Sequence, residues 1–114
     1  MEKLCYNYCI IRDDKGVICM KIGLIKGRHE IPEVEGRYIF IEELNPTDVK
    51  KTEGKAYSVL SAIKRSGEQH IELYVTGLTM ALVSVMNAAR RHGMEITLYH
   101  FDRETGKYFP QEVL

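Results

Sequence analysis

The sequence predicts an α+β fold, built as a single mixed sheet with two helices packed on it. Three observations support this prediction. The first third of the chain consists of short segments rich in β-branched and aromatic residues, two later segments repeat apolar residues at helical spacing, and further strand-like segments alternate with these helices. The predicted order is β-β-β-α-β-α-β-β, starting with an N-terminal β-hairpin, within one domain that spans residues 1–114.

The hairpin is predicted from two β-rich segments, residues 4–12 and 17–25, which flank a short polar loop. Residues 27–36 are charged and contain Pro32, so they predict a loop that could fold over a ligand. A short apolar segment at residues 37–41 predicts the third strand.

The first helix is predicted at residues 54–66, where apolar residues recur at helical spacing and the last turn is basic. A second helix is predicted at residues 79–92, before Gly93. Apolar side chains surround most of its axis, so we expect it to be covered on more than one side, with another subunit as the second cover. The remaining strands are predicted at residues 70–75, 95–101 and 107–113, the last two joined by a turn at 102–106.

Composition limits the classes of partner. The 16 basic side chains balance 16 acidic ones, which removes the electrostatic argument for binding a long nucleic acid or an anionic membrane. No segment approaches the roughly 18 apolar residues that a membrane-spanning helix needs. The first residues carry charges and lack the apolar stretch of a secretory signal, so we expect a cytoplasmic protein.

The three cysteines, Cys5, Cys9 and Cys19, are odd in number and lack C-x-x-C spacing. We expect reduced, buried thiols on the first two strands, which is typical of a reducing compartment. The chain has no Walker motif and no G-x-G-x-x-G fingerprint, and its four histidines lack metal-ligand spacing. No metal site and no cofactor are therefore predicted.

The most site-like feature is the strand–turn–helix junction Thr76-Gly77-Leu78-Thr79. Gly77 permits a tight turn and lets a ligand approach the backbone. The helix that follows offers unpaired N–H groups and the positive end of its dipole, and Thr76 and Thr79 add hydroxyls, so the junction can bind phosphate. The alternative is a threonine N-cap after a glycine turn, which binds nothing.

Asp102 and Arg103 follow the strand at residues 95–101. If that strand is a parallel neighbour of the strand at residues 70–75, both side chains open on the same sheet edge as Thr76, where open α/β sheets bind their ligands. Arg103 could then pair with a phosphate, and Asp102 could accept from a ribose hydroxyl or an amino group. A solvated hairpin turn is the alternative for both.

Asn87 lies amid the apolar second helix, where a buried amide needs a partner from the core, another subunit or a ligand. Arg28 lies on the loop after the hairpin and could contact a ligand, although an exposed charge is the simpler account. His100 is the candidate base of an enzyme, because histidine titrates near neutrality; a hydrogen-bonded strand residue is the alternative. The seven tyrosines offer stacking faces for a base, but the sequence does not say which are exposed.

The stretch from Ile71 to Thr79, the helix rich in alanine and the segment from Leu98 to Asp102 together resemble the later βαβ unit of CRISPR-associated Rossmann-fold domains. Those domains carry a Thr-Gly-Gly-Thr-Lys type turn that binds cyclic oligoadenylates, usually across a dimer. The resemblance assigns ligand contacts to Thr76, Gly77 and Thr79. This chain departs from the motif at Leu78, where the second glycine would stand, and at Met80, where the lysine would stand.

The small size and the hairpin-first layout are also similar to small phage proteins that sequester signals, such as the Thoeris anti-defence family. The leading hypothesis is a homo-oligomer that sequesters a cyclic nucleotide or cyclic ADP-ribose-type second messenger of antiphage defence without cleaving it. The first alternative is a metal-independent ring nuclease that cleaves cyclic oligoadenylate. The second is a non-catalytic oligomeric interaction module.

Overall fold

The computed structural model describes residues 11–12, 18–27 and 30–114, and it confirms the predicted α+β fold. The elements are β1 (Ile11–Arg12), β2 (Ile18–Ile25), a one-turn 3₁₀ helix (Pro32–Val34), β3 (Tyr38–Phe40), α1 (Val49–Arg65), β4 (His70–Tyr74), α2 (Thr79–His92), β5 (Glu95–Asp102) and β6 (Lys107–Glu112). Among the described residues, no helix combines the length and the apolar character that a bilayer crossing requires.

The strands form one six-stranded mixed sheet in the order β1-β2-β4-β5-β6, and β3 also pairs with β2. Strands β3, β2, β4 and β5 run parallel to one another, so their carboxyl ends share one edge. Strands β1 and β6 pair antiparallel with β2 and β5. Thr76 and Asp102 were predicted to lie at one sheet edge on the condition that β4 and β5 are parallel neighbours. The structure confirms this pairing.

The pairing of β1 with β2 confirms the predicted hairpin as far as it is described. Its loop and residues 1–10 lie outside the described residues. The prediction of buried, reduced thiols at Cys5, Cys9 and Cys19 therefore concerns side chains that the structure does not describe.

Helix α1 begins at Val49, so the predicted start at residue 54 is wrong. Asp48 caps the helix, since its carboxylate accepts a hydrogen bond from the N–H of Lys51 at 3.1 Å. Thr52, in the first turn of α1, is buried. Gly54 is an exposed residue inside the helix and not its start. An exposed glycine costs a helix only about 1 kcal/mol, which the cap and the buried face offset. Helix α2 has the predicted bounds, and Gly93 closes it with φ of +68°.

Alternating residues give the sheet two different faces. The covered face carries aliphatic side chains of β2, β4 and β5, on which both helices pack: Met20, Ile22, Leu24, Ile71, Leu73, Ile96 and Leu98. The opposite face, here called the tyrosine face, carries Tyr38, Tyr74, Tyr99 and Tyr108, with Ile31 and Val34 packed against them. Helix α1 supplies part of the second cover expected for α2, because the two helices also pack on each other.

The amino end of β4 holds a buried carboxylate. Glu68 has no exposed surface, and among the described residues neither of its carboxylate oxygens has a hydrogen-bond partner. Burial raises the pKa of Glu68 to about 6, although nearby His70 acts in the opposite direction.

Candidate functional site

A cavity of about 850 Å³ lies on the tyrosine face, at the carboxyl ends of β4 and β5. Tyr74 and Tyr99 line its floor, and the 3₁₀ segment forms one wall. Phe101, Lys107 and Tyr108, from the β5–β6 hairpin, form the other wall. The cavity is therefore built from three separate parts of the chain that meet at the sheet edge where ligands bind in open α/β sheets.

Strand register creates the aromatic floor. Tyr74 and Tyr99 are partners across β4 and β5, so their side chains leave the sheet on the same face. Their rings stack with centroids 4.8 Å apart and planes 11° apart. The ring of Tyr108 stands edge-on to Tyr74 at 4.9 Å, and Phe101 packs against Tyr108 at 5.2 Å. Tyr74 is almost completely buried in this cluster, so the rings most accessible from the cavity are those of Tyr99, Tyr108 and Phe101.

The 3₁₀ wall is held in place by the protein beneath it. Val34 is fully buried, and the N–H of Ile31 donates to the hydroxyl of Tyr38 at 3.1 Å. The Tyr38 ring in turn lies over Gly23, where a Cβ would come within 2.5 Å of two ring carbons. The segment at residues 27–36, predicted as a loop, therefore contains an anchored helical turn that forms a wall of the cavity.

The described walls carry charges of both signs. Glu30 and Glu33 lie on the 3₁₀ side, and Lys107 lies on the hairpin side. Burial raises the pKa of Tyr74 and of Tyr108, and the negative charge of Glu33 adds to both shifts. Tyrosine is already protonated at neutral pH and these shifts make its ionisation harder still, so both hydroxyls can donate hydrogen bonds.

Of the Thr76–Thr79 junction, only Thr76 lines the cavity. Its hydroxyl donates to the carbonyl of Ile25 at 2.9 Å and accepts from the N–H of Ile25 at 3.2 Å. Both partners lie at the end of β2, so the hydroxyl joins β2 to β4 where the strands begin to separate. Gly77 is exposed and has φ of +78°, in agreement with the tight turn predicted there.

Leu78 is the N-cap residue of α2, and its side chain makes no capping hydrogen bond. Thr79 is the first helical residue and is exposed. The threonine N-cap that the sequence offered as the alternative to a phosphate site is therefore wrong. Gly77, Leu78 and Thr79 do not line the cavity in the part of the chain that the structure describes.

Asp102 stabilises the turn between β5 and β6. Its carboxylate accepts from the N–H of Glu104 and from the hydroxyl of Thr105, both at 3.0 Å. Arg103 is exposed in the same turn. The hairpin does reach the cavity, but through Gly106 and Lys107.

The other candidates lie elsewhere. Asn87 is half-buried on α2, accepts from Arg90 at 2.9 Å and faces a small depression between the helices. His100 points to the face opposite the tyrosines, where its Nε2 lies 2.8 Å from Oε1 of Gln111. Arg28 lies outside the described residues.

Sequence reasoning missed the residues that form most of the cavity. It named the tyrosines as stacking faces without choosing among them, and it did not single out Glu33 or Lys107. The available signal was the alternation that puts Tyr74, Tyr99 and Phe101 on one face of adjacent strands. That signal becomes specific only once the register of β4 and β5 is known.

Comparisons with protein-family models, curated proteins and solved structures give no match to this chain. The resemblances drawn from residues 71–102 therefore stay predictions.

Proposed function

We propose that this protein binds a nucleotide-type signal in the tyrosine-face cavity and holds it without cleaving it. The observation that carries the proposal is the stacked pair Tyr74 and Tyr99 on the cavity floor. Stacking on an aromatic side chain is worth about 1–3 kcal/mol per base and tolerates every base, because each has a π face.

The dimensions fit such a ligand. Small-molecule pockets commonly enclose about 300–1,000 Å³, are lined mainly by apolar and aromatic groups and contain a few polar ones. The cavity of about 850 Å³ has this character, with Ile31, Pro32 and the aromatic rings as its apolar part. Thr76, Lys107 and the two glutamates supply polar groups.

Charge indicates which part of the ligand binds most strongly. The described walls carry two carboxylates and one ammonium group, so they favour a ring over a cluster of phosphates. In the proposed complex the ring lies against Tyr99, and a phosphate reaches Lys107. A cyclic nucleotide or a cyclic ADP-ribose-type messenger of antiphage defence is the ligand that the resemblance of residues 71–102 suggests.

Binding is preferred to cleavage for two reasons. His100, the suspected base of a ring nuclease, lies on the opposite face of the sheet and is paired with Gln111. Tyrosine is already protonated at neutral pH, and the raised pKa of Tyr74 and of Tyr108 makes ionisation to a nucleophilic phenolate harder still.

Self-association through α2 belongs to the same proposal. Val83 on this helix is 47% exposed although its neighbours Ser84 and Val85 are buried. A second copy packed there would remove this side chain from water. Sedimentation of the purified protein over a range of concentrations tests this part separately from ligand binding.

The test of binding is calorimetry with a panel of cyclic oligonucleotides and cyclic ADP-ribose isomers, followed by denaturation and chromatography of the released ligand. We expect at least one compound to bind and to be recovered intact. Replacing the stacking ring by Tyr99→Ala should weaken binding about tenfold or more, since 1.4 kcal/mol is tenfold. Tyr57→Ala, which removes a tyrosine on the helical side whose ring packs tilted against His92 with centroids 4.4 Å apart, should leave affinity unchanged.

Two outcomes would contradict the proposal. Shortened linear products would establish a nuclease, and loss of their formation in His100→Ala would identify its base. Failure of every compound to bind would remove the ligand hypothesis altogether.

A further inference from the structure

Glu33 is a charged residue of the described cavity wall whose backbone is anchored by the core. It lies in the 3₁₀ helix between Pro32, which fixes the backbone, and Val34, which is fully buried. The turn is closed by the N–H of Glu35, which donates to the carbonyl of Pro32 at 3.2 Å. The side chain is exposed, but the backbone that carries it is in place at the cavity before a ligand arrives.

Glu33 lines the same cavity as Tyr74 and Tyr108, whose rings meet edge to face with centroids 4.9 Å apart. In agreement with that placement, the charge of Glu33 adds to the burial that raises the pKa of both tyrosines. Glu30 also lines the cavity, but it lies outside the 3₁₀ helix. Glu33 is therefore the cavity carboxylate that the 3₁₀ helix carries, on the wall beside the aromatic cluster where the ligand ring is proposed to lie.

A carboxylate has only acceptor sites, so it can pair only with groups that carry a proton. A planar ring held against the tyrosines would present its edge to this acceptor. An N–H donor on that edge forms a charge-assisted hydrogen bond, whereas a bare ring nitrogen there meets a negative charge and is repelled.

We infer that Glu33 is a specificity-determining residue that selects ligand rings with an exocyclic amino group over the same rings without it. This inference rests on the proposed function, because it concerns the ligand of the same cavity. The inferred ligand class is a heteroaromatic ring that carries an amino group. The phosphate part of the ligand contributes affinity but not this choice.

The experiment compares two probes that differ by one amino group, adenosine 5′-monophosphate and purine riboside 5′-monophosphate. Dissociation constants are measured by calorimetry for the wild type, Glu33→Ala, Glu33→Gln and the control Glu104→Ala. Glu104 is an exposed carboxylate in the nearby β5–β6 turn that does not line the cavity in the described chain, so this control removes equal charge.

We expect the wild type and Glu104→Ala to bind the amino-bearing probe about tenfold more tightly, the magnitude of one hydrogen bond to a charged group. In Glu33→Ala this ratio should fall to about one, and Glu33→Gln, which keeps an uncharged acceptor, should be intermediate. Thermal unfolding of each variant checks that the 3₁₀ wall is intact.

The result that overturns the inference is a wild-type ratio near one, or a Glu33→Ala variant that weakens both probes equally and so acts only as wall. In either case binding of both probes would leave the proposed function standing. If the wild type binds neither probe nor any cyclic compound of the panel, the proposed function and the inference fail together.

Discussion

The two faces of the sheet use the same strands for different purposes. On the covered face, Ile22, Leu73 and Leu98 follow one another across β2, β4 and β5 and are almost completely buried beneath the helices. One residue further along, Gly23, Tyr74 and Tyr99 form the neighbouring row on the tyrosine face. That row is covered only in part, by Tyr38 and the 3₁₀ segment, and its open end is the cavity.

The covered face mainly stabilises the fold, whereas the tyrosine face also provides the proposed binding surface. Aliphatic side chains between a sheet and two helices contribute burial without offering polar groups to a ligand. Aromatic rings that are covered on one side contribute burial and keep a face for binding. Mutations of adjacent residues on one strand should therefore have different consequences, and the predictions below test that separation.

The largest effect is expected from the covered face. Leu73→Ala removes a fully buried side chain and should lower the free energy of unfolding by about 3 kcal/mol, through lost transfer energy and the cavity left behind. Urea denaturation measures this. Ligand affinity of the folded variant should stay unchanged. The control Val49→Ala, at an exposed site in the first turn of α1, should cost less than about 0.5 kcal/mol.

If Leu73→Ala also abolished binding while the protein remained folded, the two faces would be coupled. The separation proposed here would then be wrong.

A smaller effect on stability, but a larger one on binding, is expected at Gly23. In Gly23→Ala the new Cβ would lie 2.5 Å from Cδ1 and Cε1 of Tyr38, so the buried ring must move. Overpacking of this kind costs about 2 kcal/mol. Displacing Tyr38 also disturbs its bond to the N–H of Ile31 and hence the cavity wall. We expect reduced stability in denaturant and about tenfold weaker binding, the loss of roughly 1.4 kcal/mol.

The matched control is the same substitution in a helix. Gly54 is exposed within α1, and a Cβ there meets no atom within 4 Å. Gly54→Ala should therefore stabilise the protein by about 1 kcal/mol, because alanine is the better helix former. A destabilised Gly54→Ala, or a Gly23→Ala variant that binds as well as the wild type, would contradict the assignment of these two glycines.

Most of the fold could be predicted because its signals are local. The bounds of α2 follow from its apolar spacing and from Gly93, and the order of strands and helices follows from the same kind of pattern. The prediction started α1 at residue 54 because the apolar spacing is clear only from Ala56 onward, although residues 45–48 have the sequence of a turn or helix start and Asp48 is the cap.

The site was harder to predict because its contacts are not local. The hydroxyl of Thr76 is hydrogen-bonded to the backbone of Ile25, which lies on a different strand. The meeting of Tyr74 with Tyr99 depends on register, which no single segment encodes. The hairpin turn offered as the alternative for Asp102 agrees with the structure, since an aspartate that accepts from the N–H two residues on is common turn chemistry.

A third region, the edge of the sheet opposite the cavity, should make the free energy of unfolding depend on pH. Glu68 is fully buried there without a hydrogen-bond partner among the described residues, and its pKa is raised to about 6 from an ordinary value of 4.5. A raised pKa means that folding favours the protonated carboxyl. Its contribution to stability is therefore complete below about pH 4.5 and is lost as pH rises through about 6.

The measurement is the free energy of unfolding from pH 4 to pH 7 for the wild type, Glu68→Gln and the exposed control Glu42→Gln. An amide cannot ionise, so the difference between Glu68→Gln and the wild type should change in favour of the variant by about 1–2 kcal/mol over this range. The slope is the informative quantity, because the unpaired amide has a cost that does not depend on pH. Parallel curves for Glu68→Gln and the wild type would show that this carboxylate is solvated or paired in solution.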